Sequence, residues 1–168
     1  MNAKTMTPGV GQDAQIPATL LLVALRFGQQ SLFVPQREIG SLESGLDLRR
    51  EGAVPPTVGM IELANQVWPV YCLSDEGWLL STEIPASRRV CLLLDVGEYQ
   101  LALVCDRVEA LATPSRLYPL PACMAQSDAL IEALVVQDEH TVDCLTTTAR
   151  LAAFCLRQLS QEQEAGHG

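Results

Sequence analysis

Two histidines, His140 and His167, and six cysteines are the groups from which a nucleophilic or metal-assisted site would have to be built. A Ser or Cys nucleophile needs a base beside it. His167 stands in the terminal segment, and His140 follows Asp138 and Glu139 in an expected turn, the setting of a solvated loop imidazole. Cys72, Cys91, Cys105, Cys123, Cys144 and Cys155 form no Cys-x-x-Cys pair, and most lie in apolar runs where a thiol behaves as a small hydrophobe. They read as reduced core residues of a cytosolic protein. Zinc needs clustered Cys and His at short spacing, which this pattern lacks. Gly9-Val10-Gly11 has neither a strand before it nor a helix after it, so it makes no phosphate cradle. The carboxylate pairs Asp75-Glu76 and Asp138-Glu139 sit at expected turns, where adjacent acids face water. One enzymatic arrangement stays open: a Cys123 thiol in a Pro-rich loop, activated by His140 if the fold brings the two within hydrogen-bond reach. The residue inventory otherwise points to a protein with no catalytic centre, metal or cofactor.

Binding chemistry is better supplied. Trp68 and Trp78 are the large amphipathic anchors, a residue type that serves cores and contact surfaces alike. Trp68 alternates into a strand and is expected in the core. Trp78, after Asp75-Glu76-Gly77, is the candidate for exposure. The 168 residues carry a net charge of −9, so the field repels nucleic-acid phosphates and anionic lipid and favours basic partners. A 48% hydrophobic content and a mean hydropathy of +0.17 imply generous burial or an apolar contact face. Leu20–Leu25 is too short to span a bilayer, and the residues before it lack the pattern of a signal peptide, so a cytoplasmic location is expected.

The elements that must position these residues are mainly strands. Residues 1–18 and 161–168 read as flexible tails around an ordered region, 19–160. Leu20–Phe27 and Ser31–Val34 flank Gly28-Gln29-Gln30, and Val90–Val96 and Tyr99–Val104 flank Gly97-Glu98; both are hairpins whose glycine takes a positive φ. Leu25–Leu32 aligns without a gap on Leu94–Leu101. Met60–Leu63 and Val67–Leu73 form a third hairpin about Ala64-Asn65-Gln66, and its ending Val70-Tyr71-Cys72-Leu73 is echoed by Val142-Asp143-Cys144-Leu145. These echoes suggest an internal repeat of two similar barrels, with the halves meeting near 81–88. Barrel closure would also hide the sticky edges of strands this apolar. Helix is the minority: a short one over Ser41–Glu51, and one over Thr148–Leu159 with Leu151, Phe154, Cys155 and Leu159 on one stripe.

The segment Val58–Leu73 resembles the central signature of the CheW-like domain family, with Gly59, Ile61, Leu63, Pro69, Val70 and Leu73 in register. Leu101–Leu111 is similar to a later strand of that family, with Asp106 and Val108 in place. The opening hairpin at Gly28, ending in Leu32-Phe33-Val34-Pro35, and the segment Leu130–Leu134 resemble further elements, and the likeness spans about Thr19 to Leu159. What it implies is a pair of linked SH3-like five-stranded barrels, acting as a non-enzymatic adaptor. Such an adaptor couples chemoreceptors to a CheA-type histidine kinase or serves a type IV pilus pathway. Two departures bear on function. The family's Asn-x-Arg-Gly at the hairpin tip is here Glu62-Leu63-Ala64-Asn65, and its Asp before the last Leu is Cys72. Ala64 cannot replace the multidentate Arg, whereas Asn65 still suits a left-handed turn position. Glu62, Ala64, Asn65, Gln66 and Trp78 are accordingly the candidate partner-binding residues. The competing reading is an effector sensor that uses a cleft between the barrels.

Overall fold

A computed structural model describes residues 19–125 and 129–166; the tail expected over 1–18 and His167 lie outside them. Thirteen strands and one helix follow in the order β1 (Thr19–Leu20), β2 (Leu22–Phe27), β3 (Gln30–Pro35), β4 (Ile39–Ser44), β5 (Gly59–Leu63), β6 (Gln66–Leu73), β7 (Leu80–Ser81), β8 (Val90–Val96), β9 (Tyr99–Cys105), β10 (Arg107–Ala110), β11 (Ser115–Pro119), β12 (Ala133–Val136), β13 (Val142–Leu145) and α1 (Thr148–Ala165).

The strands form two sheets. One runs β1-β11-β12-β13-β3-β2-β10. Its end strand β10 and its far strand β11 are separated only by residues 111–114, so a single bent segment pairs with both β2 and β12. Counted as one, β10 and β11 close a five-stranded barrel. The second sheet runs β4-β8-β9-β6-β5, with β7 beside β6. Beyond β4 the chain turns through a short 3-10 segment, Gly45–Asp47, and Arg49 then exchanges two backbone hydrogen bonds, each 2.9 Å, with Met60 of β5. That bridge closes the second ring. Closure leaves few free edges, which is what strands this apolar require.

The barrels are not successive halves of the chain. β2 and β3 join β10 to β13 in the first barrel, and the intervening β4 to β9 build the second. The chain therefore crosses between barrels after Pro35 and after Cys105. The segment 81–88, expected as the junction, is instead the entry to β8 inside the second barrel. The sequence echo survives in a different form. In each barrel the second strand of one hairpin lies parallel to the second strand of another: β3 beside β13, and β9 beside β6. Those are the hairpins whose sequences echo each other. The registers differ, since Cys144 faces Leu32 whereas Cys72 faces Val104 rather than Leu101, the counterpart of Leu32.

Alternation explains the hydropathy. In β2, Leu22 and Ala24 point into the first barrel with Phe33, Ala133, Val135 and Leu145. Val23, Leu25 and Phe27 point out of it and meet Tyr71, Leu73, Leu92, Leu94, Leu101 and Leu103 of the second barrel. The alternate residues of those strands, Val70, Cys72, Cys91, Leu93, Ala102 and Val104, fill the second barrel around Trp68. Strands buried on both faces read as unbroken apolar runs, and the protein thus has three cores, the largest lying between the barrels. Helix α1 seals that middle core with Leu151, Phe154 and Cys155, as its stripe predicts. Its first turn is held by two acceptors: Thr147 Oγ1 takes the Arg150 amide at 3.3 Å, and buried Glu38 takes the Thr148 amide at 2.7 Å.

Two helix boundaries need correction. Ser41–Glu51 is not helical: its first residues continue β4, opposite Val90–Leu93 of β8, and the rest forms the 3-10 turn and the bridge to Met60. Cross-strand pairing outweighs the weak local preference there. Helix α1 also continues to Ala165, past the tail expected from Gln161, because Gln161-Glu162-Gln163-Glu164-Ala165 is built of good helix formers on an established helix.

Candidate docking surface

The third hairpin carries the candidate partner-binding tip. Leu63 and Gln66 are its closing pair, and Ala64 and Asn65 alone make the turn, at φ 50° and 63°. Two left-handed central residues are the type I′ geometry, whose twist suits a tight hairpin. Asn tolerates that region readily, whereas Ala adopts it against its preference. Gln66, expected in the turn, belongs to β6. Glu62, Ala64, Asn65 and Gln66 are all exposed. Glu62 pairs with Arg49 at 2.6 Å, and Gln66 Oε1 accepts from the Gln100 amide at 3.3 Å. The tip thus stands beside the β8–β9 hairpin, whose turn is Gly97-Glu98 with Gly97 at φ 59°.

The other signature residues serve the fold beneath it. A Cβ on Gly59 would lie 2.6 Å from the Arg49 carbonyl, so glycine is what lets β5 close the second barrel. Ile61 and Val70 are buried in that barrel, Pro69 is half-buried opposite Met60, and Leu63 sits 37% exposed near the tip. Val108 packs against the core between the barrels. Gly28 turns the first hairpin at φ 63° together with Gln29. Its amide donates to Asp106 Oδ2 at 2.5 Å, and Ser87 donates to Asp106 Oδ1 at 2.6 Å. Asp106 thereby ties the first barrel's hairpin to the loop entering β8.

That tie surrounds a residue with no marker in the sequence. Arg88 is fully buried, donates to the Leu73 carbonyl and to Asp75, lies 2.9 Å from Cys72 Sγ, and sets its guanidinium 5.1 Å from the centre of the Phe27 ring. Within Ser87-Arg88-Arg89 it looks like any solvated turn cation. Asp75, expected to face water, is Arg88's counterion while remaining half exposed. Trp78 is not exposed as expected. It is half-buried and meets the Phe27 ring edge-on, 5.9 Å between centres at 89°, so much of it belongs to this packed corner.

The remaining chemical candidates take passive places. His140 is exposed in a bend where its amide donates to Asp138 Oδ1 at 2.8 Å. That bond, with the Thr141 hydroxyl, holds the Asp138 carboxyl below its usual range. Burial pushes the Cys91 thiol up to about 11 and those of Cys105 and Cys155 to about 12. Desolvation also raises Cys72, partly offset by Arg88, and Cys144. Two cysteines depart from the core reading: Cys144 is half-buried and Cys123 exposed. Among the described residues no group of three or more His, Cys, Asp or Glu is placed to hold a metal, and no helix is long and apolar enough to cross a membrane. The space between the barrels is filled by the packed middle core.

No family model and no curated protein matches the sequence. The structure does match: the crystal structure of the scaffolding protein TtCheW from Thermoanaerobacter tengcongensis superposes with a TM-score of 0.57 at 12% identity, over 78% of this chain and 89% of that one. The chain has a CheW-like fold. At this identity the likeness is one of architecture: two SH3-like barrels joined by a common core.

Proposed function

We propose that this chain is a non-enzymatic adaptor of chemosensory signalling in the cytoplasm, coupling receptors to a CheA-type histidine kinase or serving the equivalent part of a type IV pilus pathway. The observation that carries the reading is the CheW-like arrangement of paired barrels together with an exposed, tightly turned hairpin tip at Glu62 to Gln66. A two-residue left-handed turn fixes the backbone of the tip, which reduces the backbone entropy lost on docking. Trp78 contributes by fixing the corner where the barrels meet.

The tip's chemistry has moved away from that of the resembled family. Glu62 and Ala64 replace an amide and an arginine, so recognition rests on shape, apolar contact and negative charge rather than on a guanidinium fork. The test is co-purification with the CheA-type kinases and receptors of the same cell, using the wild type and Ala64→Arg. The expected result is association of the wild type and, where the partner keeps the ancestral site for the family's Arg, a stronger association of the variant with unchanged folding. A folded wild type that associates with no such kinase or receptor would overturn the adaptor reading.

A further inference from the structure

The outer face of the second barrel passes from buried to exposed within one row of residues. Tyr71, Leu101 and Leu94 lie beneath the first barrel and α1 in the middle core. Towards the hairpin tips, that same face presents Val67, Tyr99 and Val96, which are 51%, 38% and 37% exposed. Two-residue alternation along each strand keeps them on the core-facing side. Val96 and Tyr99 are a registered pair, and β6 runs parallel to β9 with Val70 opposite Ala102, so the same offset carried three residues towards the tips, where Gln100 donates to Gln66, puts Val67 on the side of Tyr99. Three adjacent apolar side chains thus extend the core into solvent, an arrangement unlike the scattered single hydrophobes of an ordinary surface.

The rim of this row is acidic. Glu62 stands directly opposite Val67 across β5–β6, and Glu98 lies in the turn between Val96 and Tyr99. Glu62 has Arg49 as its partner, while Glu98 forms no ion pair with any described residue. The chain's net charge of −9 adds to the same sign. An anionic rim around an apolar strip attracts a segment that presents apolar side chains flanked by cations, and disfavours an acidic one.

We infer that Val67, Tyr99 and Val96 form a docking strip for a protein segment whose apolar residues are flanked by Lys or Arg. This rests on the adaptor reading for its biological setting, and its physical content stands separately. The probe is a synthetic amphipathic helical peptide of Leu and Lys, with a Leu and Glu peptide of the same pattern as control, titrated into the isotope-labelled protein and followed by amide shifts. Saturable shifts centred on Val67, Tyr99 and Val96 are expected with the Leu/Lys peptide. Its affinity should fall about tenfold in Val67→Ser/Tyr99→Ser, fall with salt, and weaken several-fold in Glu98→Lys, a turn substitution that leaves the apolar strip intact. Equal binding of the Leu/Glu peptide, or shifts centred elsewhere, would overturn the inference. So would a Leu/Lys peptide that causes no shifts. In the kinase and receptor co-purification, loss of association by wild type indicts the adaptor reading, whereas undiminished association by a folded Val67→Ser/Tyr99→Ser variant indicts the strip.

Discussion

Replacing Arg88 by Met should destabilise the protein by about 2 kcal/mol, a figure that follows from what the guanidinium touches. The side chain is fully buried and donates to the Leu73 carbonyl, a charge-assisted bond of a kind that contributes about 1.5–3 kcal/mol. Its stacking over Phe27 at 5.1 Å adds about 0.5–2 kcal/mol. The ion pair with Asp75 adds under about 1 kcal/mol, because that carboxylate is half exposed and remains hydrated. Against these stands the cost of desolvating the guanidinium, which Met avoids while keeping much of the volume. In urea unfolding, Arg88→Met should lower the midpoint with an unchanged slope. The thermal midpoint should fall by roughly 4–8 °C. A double-mutant cycle with Asp75→Asn should give a coupling under about 1 kcal/mol, leaving most of the loss to the Leu73 carbonyl, the Phe27 ring and the Asp106 carboxylate 4.0 Å from Nε. A stability within about 0.5 kcal/mol of wild type would refute the assignment of net stabilisation to the buried contacts of Arg88.

Three further outcomes are expected. The buried thiols should make stability fall at high pH: Cys105 and Cys155 ionise near 12 and Cys91 near 11 in the folded protein, against about 9 when unfolded, so the protection is complete below pH 9 and is lost as pH rises from 9 towards 11 and 12. Urea midpoints at pH 7.5 and pH 10.5 check this, and equal midpoints would contradict it. At pH 8 a soluble thiol reagent should modify Cys123 first and leave Cys91, Cys105 and Cys155 untouched until the protein unfolds, as mass mapping of the labelled peptides would show. Glu38→Ala should cost about 1–2 kcal/mol by removing the acceptor of the Thr148 amide, with α1 losing hydrogen-exchange protection at its first turn before the barrels do.

What the sequence made legible was local. Gly28 and Gly97 marked their hairpins because each turn needs a positive φ, and Ala64-Asn65 did so through the strands on either side. Trp68 declared itself by alternation, and Leu151, Phe154 and Cys155 by helical spacing. The interleaving of the barrels was not legible, because it depends on two parallel pairings, β3 with β13 and β6 with β9, between strands far apart in sequence. The same distance hid Arg88, whose partners Phe27, Leu73 and Asp75 meet only when both barrels are in place. The short helix expected over Ser41–Glu51 does not form because its first residues pair with β8, leaving Leu42 and Leu46 53% and 95% exposed on a strand and a 3-10 turn. Of the candidate partner-binding residues, the tip is exposed as read, while Trp78 is drawn inward by Phe27, again across barrels.

In the adaptor reading, the paired barrels present the β5–β6 tip as a docking surface for a signalling partner. Co-sedimentation of the purified chain with a CheA-type kinase and receptor-bearing membranes from the same cell tests it most directly. Wild type should enter the pellet only when kinase and receptor are present, and a tip variant, Glu62→Lys/Asn65→Asp, should enter it at least about tenfold less. A folded wild type that stays in the supernatant under every combination, or a tip variant that sediments as well as wild type, would contradict the claim.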